Sequence, residues 1–134
     1  MNIIDDIIEL HDLVFGKDFD KHMNIKNLSI ILSLPTNEII YIKAKNKVIA
    51  YLILSFIKDS NLTYINKLVV HPDYQNQGYG SLLLKNCLNM FNNKFKLNVE
   101  SNNYKAIHLY HKFGFIKCSK NKNINGRCFF EMIK

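Results

Sequence analysis

Arginine is nearly absent from this chain. Arg127 is the only one, the remaining basic side chains are lysines, and the formal net charge is +7 over 134 residues. Scattered lysine marks a solvated surface, whereas bidentate recognition of bases or phosphates recruits arginine. Nucleic-acid binding is therefore not expected, and no nucleic-acid motif is present. Part of the positive charge suits a polyanionic small molecule. Apolar runs long enough to span a bilayer are missing too. The N-terminus, Met1-Asn2-Ile3-Ile4-Asp5-Asp6, lacks the basic-then-apolar order of a signal peptide. These absences predict a cytoplasmic protein with no membrane partner. Cys87, Cys118 and Cys128 are odd in number and form no C-x-x-C. That argues against a disulfide scaffold and fits a reducing compartment. There is no internal repeat, low-complexity tract or linker, and the length suits a single domain over residues 1–134.

What is present is organised around Asn66 to Gly80. The apolar, valine-rich run Leu68-Val69-Val70 stops at Pro72, a polar turn follows, and two glycines, Gly78 and Gly80, precede an apolar-periodic segment from Leu82 to Phe91. This order reads as strand, glycine loop, helix. The first N–H groups of a helix have no intrahelical partner and sit at the positive end of its dipole. Glycines let an anion approach that backbone. The loop is not a P-loop, because no Lys follows Gly80, and not a dinucleotide fingerprint, because position 83 is Leu.

On either side the chain alternates clear periods. Ile3, Ile4, Ile7, Ile8, Leu10, Val14 and Phe15 have helical spacing with Gly16 as a stop, and a second short helix over Leu28–Leu34 closes near Pro35. Strands are predicted over 38–44, 48–57 and 62–70, joined by short turns into an antiparallel meander. After the glycine-loop helix comes a strand over 95–101, parallel to the one before because a helix crosses between them. Asn103 caps a helix running to about Lys112, and Gly114 releases it. Strands 115–119 and 127–133, joined by a polar turn over 120–126, complete the expected elements. His108 and His111, three apart, have a spacing compatible with metal ligation. No acidic or cysteine partner is patterned beside them, so no metal site is expected.

Two motifs identify what the pattern resembles. Gln75-x-x-Gly78-x-Gly80 is similar to the acyl-CoA-binding [QR]-x-x-G-x-[GA] signature of the GNAT superfamily of N-acyltransferases. Asn103, Ala106, Leu109, Tyr110, Gly114 and Phe115 fit its second signature, N-x-x-A-x-x-[LF]-Y-x-x-x-G-F. The resemblance covers residues 38–134 and, less fully, the N-terminal helices. It implies an α/β (α+β) fold: a mixed, mostly antiparallel sheet of about six strands flanked by four helices, with two central parallel strands splayed at the acyl-CoA site. Family members mostly begin with one more strand, for which this chain has no full room.

The resemblance implies acetyl-CoA (coenzyme A) as cofactor. Gln75, Asn76, Gln77, Gly78, Tyr79 and Gly80 would cradle the pyrophosphate through backbone donors. The backbone of Leu68 and Val70 would pair with the pantetheine arm, N–H groups near Val69 and Val70 would polarise the thioester carbonyl, and Asn103 would contact cofactor or cap its helix. Tyr110 would protonate the departing thiolate. The acceptor would be a primary amine, of a small molecule or a protein, and the enzyme a monomer or homodimer. The positions where relatives carry a base hold Tyr64 and Asn66. Asn98 stands where protein N-terminal acetylases have Glu, and an amide cannot take that proton, which argues against a ribosomal-protein acetylase. Glu100, two residues along the same strand face, is the first candidate base. Glu38 and His71 are weaker, and a water relay is equally open. A non-catalytic acyl-CoA-binding regulatory module is the rival reading, supported by the missing base and opposed by the retained tyrosine.

Overall fold

The computed structural model describes residues 3–16, 25–118, 122–124 and 126–134. Residues 17–24, which the resemblance would place beside the acceptor site, lie outside the described residues, as do Ser119, Lys120, Asn121 and Asn125. The elements run α1 (Ile3–Phe15), α2 (Ile25–Ser33), β1 (Asn37–Ala44), β2 (Lys47–Phe56) and β3 (Leu62–Val70), then α3 (Tyr79–Met90), β4 (Lys94–Glu100) and α4 (Tyr104–Lys112). The chain closes with β5 (Ile116–Lys117), β6 (Lys122–Ile124) and β7 (Arg127–Ile133).

The sheet order is β1-β2-β3-β4-β7-β5, with β6 also pairing β7. All neighbours are antiparallel except β3 and β4. This is the mixed, mostly antiparallel sheet flanked by four helices that the sequence implies. One detail differs. Where one strand over 115–119 and a polar turn over 120–126 were expected, β5 covers only two residues, and β6 forms three ladder pairs with β7 inside the supposed turn. Polar residues fit there because that edge has little to bury: Ile116 is exposed, and so are Cys128 and Arg127 opposite β6.

β2 explains why the sheet is sandwiched. Ala50, Leu52 and Leu54 pack into a core beneath α3 and α4 with Leu83, Leu84, Phe95 and Leu97. Tyr51 and Ile53 point the other way, into a core with Ile7 and Leu10 of α1 and Leu28 of α2. A strand buried on both faces loses polar alternation, and Val48 to Leu54 is buried throughout. Asp6 and His11 are the buried polar residues of α1. Asp6 is tied to β2. Its Oδ2 accepts from Val48 N–H at 3.3 Å, and Lys47 Nζ lies 4.0 Å from Oδ1.

α4 is held at both ends. Asn103 Oδ1 accepts from Ala106 N–H at 3.2 Å. At the other end Gly114 has φ +94°, a left-handed conformation. Its N–H bonds His111 O, and Phe115 N–H reaches back to Tyr110 O at 3.0 Å, a Schellman-type closure. That turn drives Phe115 into the core, its ring edge-on to Tyr110 at 5.7 Å.

Burial sets the chemistry of the core thiol. Cys87 is fully buried, whereas Cys118 and Cys128 are exposed. A thiol reagent should modify Cys118 and Cys128 in the native protein and Cys87 only on unfolding. Burial pushes the Cys87 thiol from 9.0 up to about 12 and the Tyr110 phenol from 10.0 up to about 12. Both raised values mean that the folded state holds these protons longer than the unfolded chain does. Their contribution is intact below about pH 9 and declines as pH rises towards 12, by about 1.4 kcal/mol per pH unit for each group once its unfolded form has ionised. Urea denaturation across that range should show the decline, and Tyr110→Phe should make it shallower.

Candidate active site

The site begins where two strands part. β3 and β4 pair in parallel from Leu62/Lys94 to Ile65/Leu97 and no further. The paired end is fastened: Lys94 N–H donates to Asn61 O at 2.8 Å, and Asn93 Nδ2 donates to the buried Thr63 Oγ1 at 2.6 Å. Separation coincides with a β-bulge. Against β2, Ile53 pairs Lys67 but Leu54 pairs Ile65, so Asn66 is the extra residue. Bulges bend a strand and end its pairing. Beyond it β3 keeps only β2, and β4 keeps only β7.

Strand alternation then fixes which backbone groups face the gap. His71 N–H donates to Ile49 O at 2.7 Å, towards β2. Two residues back, Val69 faces β2 as well, and Leu68 and Val70 face the gap. This corrects one expectation: Val69 presents its N–H to β2 rather than to the cleft, and its side chain belongs to the α1–α2 core.

On one side of the gap is a cleft of about 480 Å³ between the glycine loop and α4. Leu68, Val70, Gln75, Gly78, Gly80 and Ser81 form one wall, and Asn103, Lys105, Ala106, His108, Leu109, Tyr110 and Lys112 the other. Gly78 caps α3 at φ +88°, with no side-chain cap bond. The N–H groups of the first turn are therefore left for a ligand. Asn76 is also left-handed, at φ +62°. The two glutamines brace the loop: Gln75 Nε2 donates to Val70 O at 3.1 Å and Gln77 Nε2 to Asp73 O at 3.2 Å. Tyr79 packs edge-on against Tyr74. Across the cleft, Lys105, His108 and Lys112 fall on one face of α4, at i, i+3 and i+7. An anion held at a helix N-terminus opposite the two lysines is well matched. This stripe was readable in the sequence and was missed there.

A second cleft, of about 190 Å³, opens on the other side. It is lined by Phe15 of α1, Asn66 and Lys67 of β3, Asn98 and Glu100 of β4, and Arg127 and Phe129 of β7, and it shares Leu68, Asn103, Ala106 and Tyr110 with the first. Glu100 and Arg127 form an ion pair. Lys67 Nζ sits over the Phe15 ring, 5.3 Å from its centroid. Tyr110, 7% exposed, lies at the junction, and burial pushes its phenol up to about 12. It stays protonated throughout the physiological range.

The other candidates fall elsewhere. Tyr64 pairs Ser55 and Lys96 in the closed half of the sheet. Glu38 is exposed on the edge strand β1. His71 lines neither cleft; its Nδ1 accepts from Asp73 N–H at 3.0 Å. His108 and His111 belong to no cluster of three or more metal-ligating side chains among the described residues.

The two glycines make different demands. A Cβ on Gly80 would meet Leu109 at 3.6 Å and Val70 at 3.8 Å, ordinary contacts, whereas Gly78 needs its left-handed φ. Gly80→Ala should fold normally. Gly80→Val should narrow the cleft between Val70 and Leu109 and weaken coenzyme A binding with little change in Tm. Gly78→Val should lower both, with a backbone penalty of about 1–2 kcal/mol. Calorimetry with coenzyme A beside thermal melts separates the cases; unchanged affinity in folded Gly80→Val would remove the cofactor from this cleft.

Comparison with known proteins agrees with this arrangement. The family model described as "Acetyltransferase (GNAT) family" matches residues 4–115. No curated protein matches the chain by sequence. Among solved structures, the ribosomal-protein-S18-alanine N-acetyltransferase of Escherichia coli is similar at TM-score 0.78 and 20% identity, covering 99% of this chain and 88% of that one. An aminoglycoside 6'-N-acetyltransferase complexed with coenzyme A reaches TM-score 0.82 at 11% identity, covering 98% and 89%. The PaiA N-acetyltransferase of Thermoplasma acidophilum, in complex with coenzyme A, reaches 0.75 at 16%, covering 96% and 91%. These likenesses speak for the fold, and the family match speaks for the chemistry. No described helix is long and apolar enough to cross a membrane. The glycine loop, the parted strands and the capped tyrosine helix are thus those of a member of the GNAT acetyltransferase family, and the chain is an acetyl-CoA-dependent N-acetyltransferase.

Proposed function

We propose that this chain, acting as one catalytic domain, transfers an acetyl group from acetyl-CoA in the glycine-loop cleft to a primary amine entering by the opposite cleft. The observation that carries this reading is the pair of clefts meeting at Tyr110. The residues present fit the cofactor. The N–H groups at the start of α3 would take the pyrophosphate, with Lys105 and Lys112 as counter-charges and His108 as a polar neighbour. The carbonyl of Leu68 and the N–H of Val70 face the gap and would pair with the pantetheine amides; the Val70 carbonyl already accepts from Gln75.

Bound acetyl-CoA supplies a thioester carbonyl open to attack and a thiolate leaving group. The N–H of Leu68, a residue that lines both clefts as Tyr110 does, would polarise that carbonyl, in place of the Val69 and Val70 N–H groups first given that role. Tyr110 O–H would donate to the sulfur as the carbon–sulfur bond breaks. A phenol held near 12 is a weak acid. Its contribution is a hydrogen bond that strengthens as charge develops on sulfur, with the proton following because the same dry surroundings raise the basicity of the thiolate. Glu100, in the acceptor cleft, would receive the ammonium proton. Glu100 is already engaged by Arg127, and that single feature supports a second reading: Glu100 orients the ammonium and water carries the proton away.

Tyr110→Phe keeps the ring contact with Phe115, so it should fold with acetyl-CoA affinity little changed. Its kcat should fall about 10²–10⁴-fold. In the wild type, the rate should rise with pH as the amine loses its proton, with no descending limb from Tyr110 until pH approaches 12. Glu100→Gln should lower kcat strongly and shift the ascending limb if Glu100 takes the proton. An unmoved limb with a raised acceptor KM assigns Glu100 to orientation instead. Full activity in Tyr110→Phe would remove the tyrosine from the chemistry.

A further inference from the structure

Resting on the acetyl-transfer reading, we infer that the acceptor is a small amino carboxylate, an amine whose skeleton carries a carboxylate close to the nitrogen, read by Glu100 and Arg127 as a pair. Neither the family nor the fold chooses between such an acceptor and a polyamine, an aminoglycoside or an alkylamine; the charged groups of this cleft do.

The acceptor cleft presents two cations, Lys67 and Arg127, and one carboxylate, Glu100. A surface selected for polycations would carry the opposite excess, because like charges across a contact are costly. A lone alkylammonium would find one favourable partner and two unfavourable ones. An amino carboxylate matches the set. Its ammonium takes the place of the guanidinium against Glu100, and its carboxylate takes the place of Glu100 against the guanidinium.

Composition makes the placement informative. The chain uses lysine for every other basic side chain of this class, and its single arginine stands in this cleft. A guanidinium offers a planar fork that meets a carboxylate with two parallel bonds, which an ammonium cannot do. Lys67 adds a second positive charge at the rim, where its Nζ is placed over the Phe15 ring. Phe15 and Phe129 supply apolar walls for a short side chain. The cleft volume of about 190 Å³ is below the range of about 300–1,000 Å³ for drug-sized ligands, which suits a small acceptor.

The test uses a panel of L-amino acids, each paired with its amide and its decarboxylated amine, with spermidine added, and reads CoA release. The amide is the stringent partner: its amine is less basic and more of it is neutral at pH 7.5, so intrinsic reactivity opposes the expected order. The best amino acid should exceed both partners in kcat/KM by about 10–100-fold, mostly through KM. Calorimetry of the same compounds against the enzyme saturated with CoA should give the same order of affinities without turnover. In Arg127→Gln, checked for folding by circular dichroism, the ratio of amino acid to amine should fall to about one. Arg127→Lys should restore part of it, as charge without the fork, and Lys67→Gln should lower it less. Amides, amines or spermidine acetylated as well as the amino acids would overturn the acceptor assignment and leave acetyl transfer standing. A preference unmoved in Arg127→Gln would overturn it as well. Tight acetyl-CoA binding with no amine of the panel acetylated would overturn the transfer reading and the acceptor class together.

Discussion

The parallel pairing of β3 with β4 is deliberately short, and the site depends on where it stops. Up to Ile65 and Leu97 the two strands share a ladder; past Asn66 they do not. Backbone groups left without a partner away from water are costly, by about 1–3 kcal/mol each. The sheet tolerates them at Leu68 and Val70 because they open onto clefts. Water reaches them there, and a ligand with matching groups in extended form replaces that water along a fixed line, so an unfinished ladder is itself a source of alignment. The same gap lets two clefts approach one tyrosine from opposite faces, which a closed sheet would forbid.

Everything that surrounds the gap works to hold it at a fixed width. Asn93 and Asn61 tie the closed end. Gln75 and Gln77 tie the glycine loop to the strand end and to its own preceding turn. Asn103 and the Gly114 turn fix the length and pitch of α4, and Phe115 backs the Tyr110 ring. Gln75 and Asn103 also line the first cleft, whereas Asn61, Asn93, Gly114 and Phe115 line neither. Their effect is positional, and small errors in position are expensive in catalysis.

How much of this was legible in the sequence follows from the range of each interaction. Gly78, Gly80, Asn103 and Gly114 act within a turn or two of themselves, so their meaning shows in a short window. The helical periods of α1, α3 and α4 are equally local. The bulge at Asn66 was invisible, because an extra residue exists only relative to a partner strand. The alternation that turns the Val69 N–H towards β2 depends on that register. Tyr64 read as inward-facing and sits in the closed half for the same reason. Arg127 reaches Glu100 only because β7 lies beside β4, a pairing that no local pattern encodes. The Lys105, His108 and Lys112 stripe could have been found, since three basic residues at helical spacing opposite an anion loop need no tertiary knowledge.

The position of β7 has a consequence for how the molecule assembles. It does not extend the sheet at an edge; it lies between β4 and β5, both earlier in the chain. The β1–β2–β3 meander is built from neighbours and can form as soon as it is made, whereas β4 must wait for a strand that follows α4, β5 and β6 before it gains its second neighbour. Pairings of long sequence separation are the slow ones. During synthesis from the N-terminus, the β1–β2–β3 meander and the glycine loop can therefore be in place while β4 still presents an open strand edge. The Glu100–Arg127 pair spans that last seam, so the second cleft is the last part of the molecule to be completed.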